Sequence, residues 1–389
     1  MAVETLGLQS KARKFRSVTT PVVVLLGLLQ AGMGAYAAGE IIDCPLRDAA
    51  YSVDTPMLDL MVNPAVKVLL ENQLPAFMKN IPPMFLATEA PSLSAIMTLR
   101  GAADLLRQPM GEEQIEQLNA ALAGVEITAA DRQARCARYD NDDPGLTLTD
   151  ADVQVLVFDK VNGFDHGEGT AAASAAVRAI AKEKGWGVSV TNKGGVFTPQ
   201  TLQHFDLVIW NNVSGDVLTL SQRRAFEGYI NQGGGFLGIH GSGGDFIYLW
   251  DWYVDELLGA QFIGHTMNPH YQDAKVDIEQ DANGIGRGLQ SAWTINDEWY
   301  SFAQNPRDKG AVIVATIDES TYAPEMGGIS LRMGDDHPIA WARCVGEGRA
   351  FYTAIGHLPA VYQVPQNLAL LANAMTWASG LGESACTGR

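Results

Sequence analysis

Basic residues are scarce in this chain: its 389 residues carry 27 Lys and Arg against 44 Asp and Glu, a formal net charge of -17. A surface so poor in cations repels phosphate backbones and anionic headgroups, which excludes nucleic acid and acidic membrane as partners. Cysteine is sparse too. Cys44, Cys136, Cys344 and Cys386 are the only four, and no two have the C-x-x-C spacing of a zinc or dithiol redox site. The sequence has no H-E-x-x-H pair, so a local zinc-protease motif is absent. No apolar run reaches the ~20 residues that span a bilayer. What remains, 47% hydrophobic and 8% aromatic, is the composition of a globular chain that can bury one large domain or two smaller ones.

The first 37 residues have the grammar of a processed leader. Lys11, Arg13, Lys14 and Arg16 precede the apolar stretch Pro21 to Gln30, and Ala35-Tyr36-Ala37 has the form of a cleavage site. Residues 1–37 therefore read as a signal peptide, with export to the periplasm or the extracellular space and no membrane span after processing. The competing reading is an uncleaved anchor. Cleavage removes four basic residues and one acid, moving the charge from -17 to about -20 by the same counting. Four cysteines in an exported chain suggest disulfides. Sequence order favours Cys44 with Cys136 and Cys344 with Cys386 among the possible connectivities; buried free thiols are the alternative.

Two patterns follow. Residues 38–137 read as a small helical module: Asn63 caps "NPAVKVLLENQL" with Pro64 in the first turn, and "GEEQIEQLNAALAG" places Ile115, Leu118 and Leu122 on one face. Residues 138–152, acidic with a Pro-Gly pair, read as a linker. From residue 153 to 380 strands alternate with helices: "VQVLVFD", a helix ending at Gly185, "VSVTN", a short helix capped by Thr198, "DLVIWNN", then a helix opened by the capping box Thr219 and Gln222. That alternation indicates a mainly parallel sheet covered on both faces. Residues 381–389 read as a tail.

Ligands of such sheets bind beyond the carboxyl ends of the strands. His166 follows the first strand, Asn211 and Asn212 end the third, and His240 sits at the glycine-flanked apex of "GGGFLGIHGSGG" after the fourth. His265 and His357 follow later strands. Any one of them alone is more simply an ordinary hydrogen-bonded histidine; together they indicate a shared site. His270 reads as a rim residue, His204 as surface, and His337 as part of a turn before Pro338.

The segments "VLVFDKVNGFDH", "FDLVIWNN", "LTLSQRRAFEGYINQGGGFLGIHGSG", "LLGAQFIGH", "DEWYSF" and "GEGRAFYTAIGH", in order from Val153 to Gly380, resemble the trehalose-utilisation (ThuA-like) family. The resemblance implies the class I glutamine amidotransferase-like fold, a flavodoxin-like three-layer α/β sandwich, and a link to sugar catabolism. In glutamine amidotransferases the comparable turn carries a cysteine nucleophile. His240 stands in that place here, so thiol-based glutamine hydrolysis is not expected. Ser242, two residues on, is one position out of register for a G-x-S-x-G elbow.

The expected function is an exported enzyme that acts on a carbohydrate or glycoside by hydrolysis or elimination. His240, His357 and Glu298 are its catalytic candidates, and His166, Asn212, Trp299 and Tyr300 its substrate-binding candidates. His240, His265 and His357 are candidate ligands of a divalent metal such as zinc, because neutral imidazole binds such ions and carboxylates complete their shells. The same groups equally suit sugar hydroxyls. A non-catalytic carbohydrate-binding protein and a serine acyl hydrolase using Ser242 are the alternatives. The sequence assigns no oligomeric state.

Overall fold

A computed structural model describes residues 43–279, 282–382 and 386. The leader and its Ala35-Tyr36-Ala37 site lie outside the described residues. The N-terminal helices are α1 (Met57–Met61), α2 (Pro64–Gln73), α3 (Pro75–Asn80), α4 (Leu99–Leu105), α5 (Glu112–Ala123) and α6 (Ala129–Cys136). Local chemistry explains their starts. The Asn63 side chain accepts the Ala65 and Val66 N–H groups with Pro64 in the first turn of α2, and Thr128 with Asp131 closes a capping box on α6. These helices share a core of their own, with Leu60, Leu70, Leu99 and Leu122 at its centre.

The rest is an α/β unit. Its strands are β1 (Gln154–Phe158), β2 (Gly187–Thr191), β3 (Leu207–Asn211), β4 (Gly235–Ile239), β5 (Phe262–His265), β6 (Tyr271–Ile278), β7 (Ala292–Glu298), β8 (Tyr300–Phe302), β9 (Val312–Ile317), β10 (Glu325–Met326), β11 (Ile329–Ser330), β12 (Pro338–Val345) and β13 (Gly348–Thr353). Its helices are α7 (Glu168–Lys184), α8 (Pro199–Leu202), α9 (Leu220–Asn231) and α10 (Pro365–Thr376). Nine strands make one sheet in the order β2-β1-β3-β4-β13-β12-β9-β6-β7, parallel from β2 to β13 and antiparallel beyond. Only β12 and β6 therefore run against the rest, which makes the sheet mainly parallel. β1, β3 and β4 are buried at every residue, as a strand must be when helices cover both faces.

Two disulfides, Cys44–Cys136 and Cys344–Cys386, have the pairing that sequence order favours. Such bonds suit an oxidising compartment. No helix among the described residues is long and apolar enough to cross a membrane. The acidic stretch after α6 forms neither helix nor strand. Its first residues are nonetheless tied down: Arg138 makes a buried two-point ion pair with Asp59 at 2.6 and 3.0 Å, and the Tyr139 hydroxyl donates to Asp216 at 2.7 Å.

The topology brings the chemistry to one edge. The chain leaves β1, β3, β4, β7 and β13 on the same side of the sheet, where antiparallel β6 enters, and the β6–β7 register sets Tyr271 opposite Glu298.

Candidate active site

His240 is the first residue after β4, and its backbone has φ +43°, a left-handed conformation that costs energy for a residue with a Cβ. Several bonds hold it there. The Tyr352 hydroxyl donates to the His240 carbonyl at 2.8 Å, and Asn212 Oδ1 accepts the Gly241 N–H at 3.0 Å. His240 Nδ1 lies 2.6 Å from the Ala354 carbonyl oxygen, so Nδ1 carries a proton and Nε2 is turned inward. The ring is fully buried and stacks on Tyr300, with centroids 4.2 Å apart. Gly241 is required for the next neighbour: a methyl group there would meet His166 Cε1 at 2.6 Å and Nδ1 at 2.8 Å.

Glu298, 3% exposed at the end of β7, is the centre of the cluster. Its Oε2 is 3.2 Å from His240 Nε2 and 3.2 Å from His357 Nδ1, and those two nitrogens are 3.2 Å from each other. Its Oε1 meets His265 Nδ1 at 3.1 Å and also contacts His270 Nε2. Burial alone would raise the Glu298 carboxyl, but hydrogen bonds from His240, His270 and His357 hold it well below the usual carboxylate range. It is a carboxylate at neutral pH.

The histidines respond to that charge in different ways. Burial works against the charged form of His357, yet the Glu298 hydrogen bond outweighs it and the imidazole is raised. His357 Nε2 bonds the Tyr271 hydroxyl at 2.9 Å. His265 is lowered by burial against the pull of Glu298. His166 is lowered well below its ordinary value by burial and by the neighbouring His240 and His357. Its Nδ1 is shielded and has no hydrogen-bond partner among the described residues, while Nε2 lies 3.5 Å from the Tyr300 hydroxyl.

His166, His265, His270, Glu298 and Tyr300 line a cavity of about 370 Å³. His240 stands behind that wall.

The structure separates the remaining candidates. The three histidines expected to share a metal are divided between the two oxygens of Glu298: His240 and His357 on one, His265 with His270 on the other. Two groups have ligand atoms close enough together to hold an ion, His166-His240-Glu298-His357 and His265-His270-Glu298. Trp299 is 1% exposed and donates its indole N–H to the Gln272 carbonyl at 2.8 Å, away from the cavity wall. Asn212 is fully buried and holds the His240 turn. Asp297 points away from its neighbour and accepts the Gly356 and Leu358 N–H groups at 2.7 and 3.0 Å, which positions the His357 loop.

The Ser242 hydroxyl donates to the Trp210 carbonyl at 2.8 Å and accepts the Val213 N–H at 3.1 Å, so it is committed to the backbone and not to a base. His337 bonds Glu319 at 2.9 Å and the Tyr300 carbonyl at 2.8 Å, supporting the site from outside. His204 is exposed. Trp250 and Trp252 stack at 5.3 Å over the aromatic core. Two participants exceed the sequence reading. His270 is a direct partner of Glu298 and not only rim, and Tyr271 joins the cluster through His357; the alternation of "YQDAKVDI" as a strand directly after His270 is the available signal.

Residues 154–378 match the profile of the family described as ThuA, Trehalose utilisation. Among solved structures, a ThuA-like protein from Bacteroides uniformis ATCC 8492 is 20% identical, the match covering 62% of this chain and 97% of that one with a TM-score of 0.52. A ThuA-like protein from Parabacteroides merdae ATCC 43184 is 16% identical over 61% of this chain and 97% of that one, TM-score 0.47. A β-galactosidase from Bacillus circulans sp. alkalophilus is 13% identical over 60% of this chain and 32% of that one; its TM-score of 0.38 is too low to bear on function. No curated protein matches the sequence. The match over residues 154–378 spans more than half of the chain, and the chain belongs to the ThuA, trehalose-utilisation, family.

Proposed function

We propose that this chain is an exported enzyme acting on a carbohydrate or glycoside, by hydrolysis or elimination, with Glu298 and its histidines as the reacting cluster. One observation carries the reading. His240 Nε2, His357 Nδ1 and Glu298 Oε2 form a triangle with every side 3.2 Å. With Nδ1 protonated, a neutral His240 would present a lone pair to a carboxylate oxygen in a buried site. That arrangement needs a hydrogen or a cation among the three atoms: the His357 Nδ1 proton shared between the other two, a proton on His240 Nε2, or a metal ion.

The donor set fits a cation. Bonds of ~2.0–2.1 Å arranged tetrahedrally leave ligand atoms roughly 3.3–3.4 Å apart. Two imidazoles and a carboxylate are the ligand types of zinc hydrolases, and the Ala354 carbonyl on the far nitrogen of His240 orients that ring as ligating histidines are usually oriented. Such an ion supplies Lewis-acid polarisation of a substrate oxygen. The chain's own groups do the rest. His265 and His270 fix the second oxygen of Glu298, Tyr271 bonds the outer nitrogen of His357 and can pass a proton there, and His166 stands close enough to His240, His357 and Glu298 to join their ligand set.

Sugar chemistry is supported by the family's description and by these convergent donors and acceptors. The leader-like pattern of the first 37 residues and the two disulfides support export.

The deciding experiment is turnover of a panel of glycosides and oxidised glycosides by disulfide-bonded protein, before and after chelation, with His240→Ala alongside. Zinc-restorable turnover that falls by at least ~10–100-fold in the variant is expected, since even outer-shell losses at metal sites commonly cost that much. Equal turnover in the variant would overturn the reading.

A further inference from the structure

The cavity in front of Glu298 is lined by groups of two chemical kinds. The polar cluster, with Ser214 and Asp245, comes from the α/β unit, and so do the apolar Phe164, Phe262, Met267 and Met326. The helical module contributes only apolar side chains, Phe85, Leu93, Ile96 and Leu105. Phe246 continues this surface and packs against both hydrophobic cores. The module lies outside the family-matched residues 154–378, so its four apolar residues extend an apolar lining that the matched region already begins.

The module is fastened on both sides of the opening. Ser92 N–H donates to the Asn162 carbonyl at 3.1 Å, beside the loop carrying His166, and Arg107 donates to the Gly327 carbonyl at 2.7 Å in the β10–β11 hairpin. Ile96 is packed so closely on Gly163 that a Cβ there would meet its Cγ2 at 2.6 Å. The wall is therefore held in place against the loop that supplies His166.

We propose that the helical module forms the aglycone side of the substrate site, so that the preferred substrates are glycosides of an aromatic or otherwise apolar group and not free, fully hydroxylated sugars. This rests on the reading of Glu298 and its histidines as a glycoside site. A sugar ring placed against Phe85, Leu93, Ile96 and Leu105 would leave its hydroxyls desolvated and unpaired, whereas an apolar ring there loses only water contact that it does not favour. The polar sugar is then left to Glu298 and the histidines, which have donors and acceptors.

The test compares phenyl and methyl glucosides, both anomers of each, binding to the disulfide-bonded full-length protein by calorimetry, together with phenol as an apolar probe. Phenyl glucoside of the accepted anomer should bind on the order of tenfold more tightly than the methyl glucoside. In Leu93→Asn and Leu105→Gln, both at half-buried positions, that ratio should fall by about fivefold or more. The ratio is the readout because a variant that folds poorly weakens both glucosides together. A phenyl-to-methyl ratio near one in the wild type, or a wild-type ratio kept by both variants, overturns the assignment of the wall. Phenol binding that depends on Leu93 and Leu105, without binding of either glucoside, supports the apolar wall and overturns the glycoside reading of Glu298.

Discussion

Glu298→Gln removes one charge and almost no volume, and the geometry sets what should follow. Four imidazole nitrogens approach that carboxylate, two on each oxygen. The amide keeps one acceptor and turns a donor toward the other pair, so at least one charge-assisted bond is lost, worth about 1.5–3 kcal/mol. The metal-free variant should melt several degrees below wild type. Zinc separates this loss from the functional one. At a zinc concentration of about a hundred times Kd, wild type gains roughly 2.7 kcal/mol of stability. If the substitution weakens binding by ~10–100-fold, the same zinc gives the variant only about 0.4–1.4 kcal/mol. Differential scanning calorimetry of chelated protein, with and without zinc, reads both quantities. An equal zinc-induced shift in the two proteins, or none in wild type together with metal-free native protein by mass spectrometry, would refute the argument.

Three further outcomes follow from groups around the cluster. Asp245 accepts from Ser214 Oγ and Gly215 N–H at 2.6 Å each, and burial raises its pKa from 3.8 to about 7. Between pH 4 and 7 the folded chain therefore keeps a proton that the unfolded chain has released, and stability falls as pH rises. Relative to Asp245→Asn, wild type should lose roughly 4 kcal/mol across that window, and parallel stability curves for the two proteins would count against it. Ser242→Ala should lower stability by about 1–3 kcal/mol by stranding the Val213 N–H and Trp210 carbonyl, while turnover, once found, persists; loss of turnover by several orders of magnitude would reinstate a serine nucleophile. Cys44→Ser opens a loop with a sequence separation of 92, which chain entropy values at about 4.6 kcal/mol, so denaturant midpoints of the variant and wild type should differ widely when both are oxidised and coincide after reduction.

Much of the fold was legible because its causes are local. Short, mostly apolar runs alternating with helices mark β1, β3 and β4. Thr219 with Gln222 signals the start of α9, and Gly185, at φ +70°, signals the end of α7. Neighbouring positions along one chain are enough to decide such features. The position of His240 could also be read, since a strand running into glycines places its apex at the ligand edge of a parallel sheet.

Contacts between distant segments decided the rest. Asp297 and Glu298 are indistinguishable in sequence, yet strand alternation and the β6–β7 register give one to the His357 loop and the other to the histidines. Trp299, attractive as a sugar platform, follows Glu298 directly and is turned inward to the Gln272 carbonyl. His270 and Tyr271 join the cluster because β6 enters antiparallel at the edge where the other strands leave. The helical module shows no diagnostic motif, and its relation to the site depends on Ser92 meeting Asn162 and Arg107 meeting Gly327. Periodicity and capping are properties of neighbours along the chain, whereas a site is a set of distances between residues far apart in it, and only the folded sheet edge sets those distances.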